Sequence, residues 1–266
     1  MNQIRMVFSD IDGTLLNSEH QMTERTSSAI RRLHRHGIPF VFISARSREG
    51  IYPILQEHNL TCPVVACNGA MILDENGSVL HTTVMPWSVV REVLYELENG
   101  RFDAAWNLYT TEGWFVRSRF DSRIQEEERI VKASSQEVCV DKLPDSTQAL
   151  KILCLVDPRQ MEALMNELKE RFPMLNVVPS CDYQLEIMDL SINKAEGLRI
   201  FCALNGIPVS DVLAFGDNYN DREMLECVGL GILMGNAPVD LKRAGFMLTS
   251  DNNHDGLASA IEALGL

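Results

Sequence analysis

Short apolar runs that alternate with helical patterns constrain the fold of this 266-residue chain more than any other feature. Near the N-terminus the runs are Met6 to Ser9, Pro39 to Ser44 and Pro63 to Cys67, with helical patterns at 23–36 and 48–58 between them. Apolar runs of about four to six residues between helices are typical of a parallel sheet buried on both faces. The sequence therefore predicts an α/β protein with a Rossmann-like, doubly wound core.

This pattern is interrupted in the middle of the chain. Residues 71–83 read as a hairpin around Glu75-Asn76-Gly77, and residues 84–188 as an α+β segment with alternating polar and apolar strands. The strand–helix alternation then returns, with apolar runs at Val212 to Phe215 and Gly231 to Met234. We therefore predict a core made of residues 1–83 and 189–266, and an inserted α+β cap domain at 84–188.

Acidic motifs follow two of the predicted core strands. Asp10-Ile11-Asp12-Gly13 ends the first strand, and Gly216-Asp217-Asn218-Tyr219-Asn220-Asp221 follows the run that ends at Phe215. Acids two residues apart can place one carboxylate and one backbone carbonyl on a hard cation such as Mg²⁺, and an acid from another strand can complete the set. Ser44 ends the second strand, and Lys194 begins a helix. Since ligands bind beyond the carboxyl ends of parallel strands, these groups should converge on one phosphoryl-transfer site.

Further motifs in the chain order carry a family resemblance. Together with DIDGTLL, Asn68-Gly69-Ala70 and Met234-Gly235-Asn236-Ala237, the acidic motifs resemble those of the haloacid dehalogenase superfamily phosphatases. The resemblance is to the Cof-type branch, which has a large α/β cap inserted after the third core strand, and it covers the whole chain. It implies Mg²⁺-dependent hydrolysis of small phosphorylated metabolites, with sugar phosphates as the leading class, through an aspartyl-phosphate.

The resemblance also implies roles for the acids. Asp10 matches the nucleophile that attacks phosphorus. Asp12 matches the general acid/base, which protonates the leaving oxygen and then activates water. Mg²⁺ would be held by Asp10, the main-chain carbonyl of Asp12, and Asp217.

The family resemblance assigns four more positions, either to binding of the phosphate or to the surroundings of the metal. Ser44, Lys194 and Asn220 are expected to bind the phosphoryl group. Asp221, together with Asn220, is expected to orient the metal's ligands or waters. The chain has Ser44-Ala45-Arg46 where many relatives have Thr-Gly-Arg, which keeps the hydroxyl group.

The motifs leave two other functions open. The same nucleophile serves phosphomannomutase-like transfer of the phosphoryl group to a second hydroxyl. A non-catalytic sugar-phosphate sensor would keep the fold and bind without turnover, but loss of Asp10 or Asp12 would be its signature, and both are present.

The cap should decide which substrates are used, because the core offers contacts that every phosphomonoester shares. Five candidates have either a substrate-binding role or a packing role within the cap: Trp106, Trp114, Arg117, Arg119 and Tyr183. The junctions near residues 83–85 and 189–191 are expected to act as a two-strand hinge.

Composition argues against several classes of partner. The net charge of −13 opposes a general nucleic-acid surface, and no apolar stretch approaches the ~20 residues of a membrane span. The N-terminal apolar run is too short for a secretory signal, and the seven cysteines form no CxxC pair. We therefore expect a cytoplasmic protein that acts on a small phosphorylated metabolite, with no nucleic-acid or membrane partner.

Overall fold

The computed structural model describes residues 3–266, and the chain divides into two compact units. One unit consists of the chain up to His81 together with Asn193–Leu266, and the other is the inserted segment Thr82–Ile192. The boundaries expected after residues 83 and 188 lie a few residues from the observed ones.

Helices and strands alternate in the first part of the chain and again after residue 193, as the sequence predicts. They are β1 (Met6–Ser9), α1 (Glu24–Arg35), β2 (Phe40–Ile43), α2 (Arg48–Glu57), β3 (Val64–Ala66), β4 (Met71–Leu73), β5 (Val79–Thr82), α3 (Trp87–Glu98), β6 (Ala104–Thr110), β7 (Trp114–Val116), α4 (Ser122–Val131), β8 (Gln136–Glu137), β9 (Ala149–Val156), α5 (Met161–Arg171), β10 (Leu175–Cys181), β11 (Gln184–Asp189), α6 (Lys194–Leu204), β12 (Val212–Gly216), α7 (Arg222–Cys227), β13 (Leu230–Leu233), α8 (Val239–Lys242), β14 (Met247–Leu248) and α9 (Gly256–Ala263). None of the helices in this described part of the chain is both long and apolar enough to cross a membrane.

The first unit is built on an eight-stranded sheet with the order β14-β13-β12-β1-β2-β3-β4-β5. Its pairs from β14 to β3 are parallel, and β3 pairs with β4 antiparallel. All residues of β1, β2 and β12 are buried, as their apolar sequences predict. The α/β, doubly wound prediction is confirmed. The chain winds outward from β1 in both directions, so the topological switch point lies between β1 and β12.

The inserted unit has a six-stranded sheet with the order β10-β11-β9-β6-β7-β8. Its pairs are antiparallel except β7–β8, which is parallel. One face of this sheet forms a hydrophobic cluster with α3 and α5, in which Trp106 and Ile152 are buried. The unit is therefore α+β, as the sequence predicts.

The alternation of polar and apolar residues in this unit does not leave the strands β9 and β11 half exposed. All eight residues of β9 are buried, and Glu186 in β11 is buried although its neighbours alternate with it in polarity. The Glu186 carboxylate accepts from Lys151 Nζ at 3.2 Å, and this ammonium lies 5.2 Å from the ring centre of Tyr109. The polar position in the alternating pattern of β11 is therefore buried, because the charge of Glu186 is paired with that of Lys151.

Close packing of two glycines sets where α6 begins. Gly69 has φ +112°, and a Cβ built there would lie 2.9 Å from the carbonyl oxygen of Asn193 and 3.0 Å from the Cα of Gly197. A Cβ on Gly197 would lie 2.7 Å from the Cα of Gly69. The first turn of α6 therefore packs directly on the turn after β3, which brings Lys194 to the carboxyl edge of the sheet.

We expect Gly69→Ala to lower the free energy of unfolding by about 2–4 kcal/mol, because it adds both backbone strain and a steric clash. Gly37→Ala is the matched control, since Gly37 also has positive φ (+71°) but has nothing within 4 Å of a built Cβ. The control substitution should lower the free energy of unfolding by only about 1 kcal/mol. Urea denaturation measures both values, and equal losses would contradict the packing argument.

Candidate active site

The ends of β1 and β12 bring two acids together. The two strands pair in parallel with Ser9 opposite Phe215, and Asp10 N–H donates to the carbonyl oxygen of Phe215 at 3.0 Å. Asp10 and Asp217 therefore leave neighbouring strands at the switch point. Carboxylate oxygens of Asp10, Asp217 and Asp221 all lie within 4.8 Å of one another.

Lys194 places a buried positive charge among these acids. Its Nζ donates to Asp10 Oδ1 at 2.5 Å and to Asp221 Oδ1 at 2.6 Å, and the residue is only 2% exposed. Asn193 caps α6, since its side chain accepts from Glu196 N–H at 2.8 Å. The helix thus begins with the ammonium directed at the nucleophile candidate.

Asp221 organises the loop that follows β12. Its Oδ2 accepts from the backbone N–H groups of Asp217 at 2.9 Å and Asn218 at 3.0 Å, while its Oδ1 accepts from Lys194. A Cβ on Gly216 would lie 2.4 Å from the Cβ of Asp221, so only glycine fits there. With three donors already on its two oxygens, Asp221 holds the loop and the lysine in place.

Asp12 forms an ion pair with Arg46, a residue to which the sequence analysis gives no role. Arg46 Nε donates to Asp12 Oδ2 at 2.7 Å, and Arg46 Nη2 donates to Asp12 Oδ1 at 2.6 Å. This bidentate pair fixes the carboxylate plane of Asp12, which is 44% exposed. The signal in the sequence is the segment Ser44-Ala45-Arg46, which places an arginine two residues after the strand-end hydroxyl.

Ser44 and Asn220 occupy different surroundings. Ser44 is buried at the end of β2, where its Oγ accepts from Arg46 N–H at 3.1 Å and its carbonyl accepts from Asn68 N–H at 2.8 Å. Asn68 has φ 56° and begins the turn that packs on α6. Asn220 is exposed in the 3-10 turn Tyr219–Asp221.

Two neutral side chains that the sequence did not assign donate to Asp217. Thr14 Oγ1 donates to its Oδ1 at 2.9 Å, and Asn236 Nδ2 donates to its Oδ2 at 3.2 Å. Gly13 makes room for this carboxylate, since a Cβ there would lie 2.4 Å from Asp217 Oδ2. Asn236 belongs to the Met234–Ala237 motif, which carried the resemblance without a chemical role.

Burial and crowding raise the pKa values of Asp10 and Asp217. Burial raises the pKa of Asp10 well above its ordinary value, an effect that Lys194 opposes and that the carboxylates of Asp221, Asp217 and Asp12 increase. Burial, with the charge of Asp221, raises the pKa of Asp217 to about 6. Burial alone would lower the pKa of Lys194, but contact with Asp10 and Asp221 raises it, so the ammonium is retained.

The donor set fits a divalent cation. The site joins four carboxylates (Asp10, Asp12, Asp217 and Asp221) to the two cations of Lys194 and Arg46. If all six groups are ionised, the excess is two negative charges, which one divalent ion would balance. Carboxylate oxygens are the ligands that Mg²⁺ prefers.

The cap candidates separate into packed and exposed residues. Trp106 is buried in the hydrophobic cluster and its Nε1 donates to Glu98 at 3.1 Å, while Trp114 donates to Asn107 at 2.9 Å and stacks on Tyr109. Both tryptophans therefore pack within the inserted unit.

Arg119 forms a bidentate pair with Glu128, at 2.9 and 3.0 Å. The side chain of Arg117 is 61% exposed, with its Nε 3.8 Å from Glu98. Tyr183 is 48% exposed in the turn between β10 and β11. Arg117 and Tyr183 are thus more accessible to a ligand than either tryptophan.

Comparison with known proteins agrees with this geometry. The family model described as haloacid dehalogenase-like hydrolase matches residues 7–261. A putative phosphatase of Haemophilus influenzae is 35% identical over 97% of both chains. An HMP-PP phosphatase of Escherichia coli is 30% identical over 90% of this chain and 86% of its own length.

A solved structure extends the match to three dimensions. The crystal structure of a haloacid dehalogenase-like hydrolase from Bacteroides thetaiotaomicron superposes with a TM-score of 0.89 at 29% identity, and the match covers 98% of this chain and all of the other. The resemblance seen in the motifs is confirmed along the whole chain. The protein therefore belongs to the haloacid dehalogenase-like hydrolases and is one of the phosphatases of that family.

Proposed function

We propose that this protein is a Mg²⁺-dependent phosphatase that hydrolyses small phosphorylated metabolites, with sugar phosphates as the leading class, through an aspartyl-phosphate on Asp10. One observation carries the proposal. A buried carboxylate, Asp10, lies at the switch point of the sheet in contact with a buried ammonium and beside two further carboxylates. Perturbed acids that meet at such a point are typical of catalytic sites.

Asp10 and Asp12 divide the chemistry between them. The Asp10 carboxylate attacks phosphorus in line, and the bond from phosphorus to the leaving oxygen breaks as the acyl phosphate forms. Asp12 gives a proton to the leaving oxygen and then takes one from the water that hydrolyses the acyl phosphate. Asp12 is accessible enough for this role, and Arg46 donates only one hydrogen bond to each of its oxygens, which leaves a second acceptor site on each.

The remaining groups bind and orient the phosphoryl group and the metal. Lys194 and Ser44, with Asn220, bind the phosphoryl oxygens, where charge develops in the transition state. Asp10, the carbonyl of Asp12, and Asp217 hold Mg²⁺, and Asp221 positions the loop that carries Asp217. When bound, Mg²⁺ supplies positive charge that lowers the pKa of the surrounding carboxyls and screens Asp10 from an anionic substrate.

Specificity is assigned to the inserted unit, because the core contacts described above are common to all phosphomonoesters. Arg117 and Tyr183 are its most accessible candidates, while Arg119 is engaged by Glu128. Some curated relatives are named for HMP-PP, so this compound belongs in the substrate panel beside the sugar phosphates.

The test is a panel of phosphorylated compounds that includes sugar phosphates, HMP-PP and an activated aryl phosphate, assayed for free phosphate with and without Mg²⁺. We expect phosphate release that EDTA abolishes and added Mg²⁺ restores. A requirement for a sugar bisphosphate with little free phosphate would favour transfer instead. Tight binding of a sugar phosphate without turnover would favour a sensor.

Three variants separate the roles. Asp10→Asn should remove turnover of every substrate, because the amide is not a nucleophile here. Asp12→Asn should lower steady-state turnover by about 10²–10⁴-fold but leave a burst of aryl alcohol, since that leaving group needs no proton. Asp145→Asn, an exposed acid in the inserted unit, should match the wild type. An active Asp10→Asn enzyme would contradict the proposal.

The pH dependence of stability follows from Asp217. Its raised pKa means that the metal-free folded protein holds a proton near pH 6 that the unfolded chain has released. Its contribution to stability is therefore present at low pH and lost as the pH rises through about 6. Mg²⁺ binding requires the ionised carboxylate, so the stabilisation by Mg²⁺ should grow over the same range.

We thus expect a saturating dose of Mg²⁺ to raise the Tm more at about pH 7.5 than at about pH 5.5. Thermal unfolding at both pH values, with Asp217→Asn as the comparison, measures this difference. A Mg²⁺-induced shift that is independent of pH would rule out Asp217 as a titrating ligand.

A further inference from the structure

Three asparagines from the C-terminal part of the chain hold the loop that follows β1. Asn236 Nδ2 donates to the carbonyl oxygen of Gly13 at 2.8 Å, and Asn252 Nδ2 donates to that of Leu16 at 2.9 Å. Asn253 Nδ2 donates to Ser18 Oγ at 3.0 Å. We call these three residues the asparagine clamp. It joins the loop that carries Asp12 to the segments that follow β13 and β14.

Asn236 differs from its two partners because its amide also reaches Asp217. The same Nδ2 that donates to Gly13 donates to Asp217 Oδ2 at 3.2 Å. Its Oδ1 accepts from Asn252 N–H at 3.2 Å. An amide whose oxygen is held by an N–H group must turn its NH₂ group to the other side, which is the side of the carboxylate. The clamp thus fixes which end of the amide Asp217 meets.

The ionised carboxylate of Asp217 needs such support because burial and the neighbouring carboxylates disfavour its negative charge. Its carboxylate lies among those of Asp10 and Asp221, and its pKa is raised by burial and by the charge of Asp221. Thr14 and Asn236 each donate to a different oxygen of Asp217. Each carboxylate oxygen has a second acceptor site, so both oxygens are oriented while one site on each stays available to a cation.

We propose that Asn236 is a positioning residue that sets the affinity of the site for a divalent cation by holding the carboxylate of Asp217 in its ligating orientation. This inference rests on the proposed function, in which Asp217 is a ligand of Mg²⁺. Hydrogen-bond partners of metal ligands typically change metal affinity by about 10–100-fold when they are removed. Asn236 itself touches neither the phosphoryl group nor the nucleophile in this scheme.

The test measures Mg²⁺ binding to the full-length protein by titration calorimetry, without substrate. Asn236→Ala should raise the Kd for Mg²⁺ by about 10–100-fold. Asn253→Ala is the matched control, because it removes an exposed clamp residue of the same type that contacts Ser18 rather than Asp217. The control should bind Mg²⁺ like the wild type. Thr14→Val provides an independent variant and should weaken binding in the same direction.

Turnover of an aryl phosphate distinguishes positioning from a general loss of structure. At saturating Mg²⁺ the kcat of Asn236→Ala should return close to that of the wild type, while half-maximal activation should need more Mg²⁺. An unchanged Kd for Mg²⁺ in Asn236→Ala, with an active wild type, would overturn this inference alone. Equal weakening in Asn253→Ala would overturn it too, since the effect would then belong to the whole clamp. A wild type that binds no Mg²⁺ would instead overturn the proposed function.

Discussion

The buried ammonium of Lys194 is the interaction on which the site depends. It contacts Asp10 and Asp221 at 2.5 and 2.6 Å and is almost wholly removed from solvent. Two carboxylates could not be buried side by side without it, because uncompensated buried charge is strongly unfavourable. Removing one partner of a buried ion pair typically costs about 3–5 kcal/mol. The ammonium that opposes the rise in the pKa of Asp10 therefore also holds the loop after β12, through Asp221.

The topology of the core explains how the lysine reaches the acids. Asp10 and Asp217 end adjacent parallel strands at the point where the winding of the sheet reverses. Lys194 arrives from a helix whose first turn packs on Gly69 through Gly197. Residues from distant parts of the chain thus meet because each lies at the end of a regular element. Small residues are required where those elements approach most closely.

Much of this arrangement follows from sequence alone, since strand and helix ends are marked by short-range patterns. Thr23 stands just before the helical residues of α1, where threonine is a favoured cap, and its Oγ1 accepts from Thr26 N–H at 3.1 Å. The strand-end positions of Asp10, Ser44 and Asp217 were predicted in the same way. The pairing of Arg46 with Asp12 was not, because it depends on how a loop side chain turns. The same holds for Asn236, whose partner Asp217 lies 19 residues earlier in the chain, in the loop after a neighbouring strand. The burial of Glu186 does not follow from its strand pattern, because alternation reports polarity and not ion pairing.

Asp10 is proposed as the nucleophile that attacks phosphorus, and the acyl phosphate that it would form can be observed directly. The protein would be mixed with Mg²⁺ and a phosphomonoester that it hydrolyses, and the reaction quenched in acid within the first turnover. Reduction with borohydride then converts an aspartyl-phosphate to homoserine. Peptide mass spectrometry then locates the change. The account predicts homoserine at position 10, absent when substrate is omitted. Steady turnover with position 10 unmodified, or with the label on another residue, would contradict it.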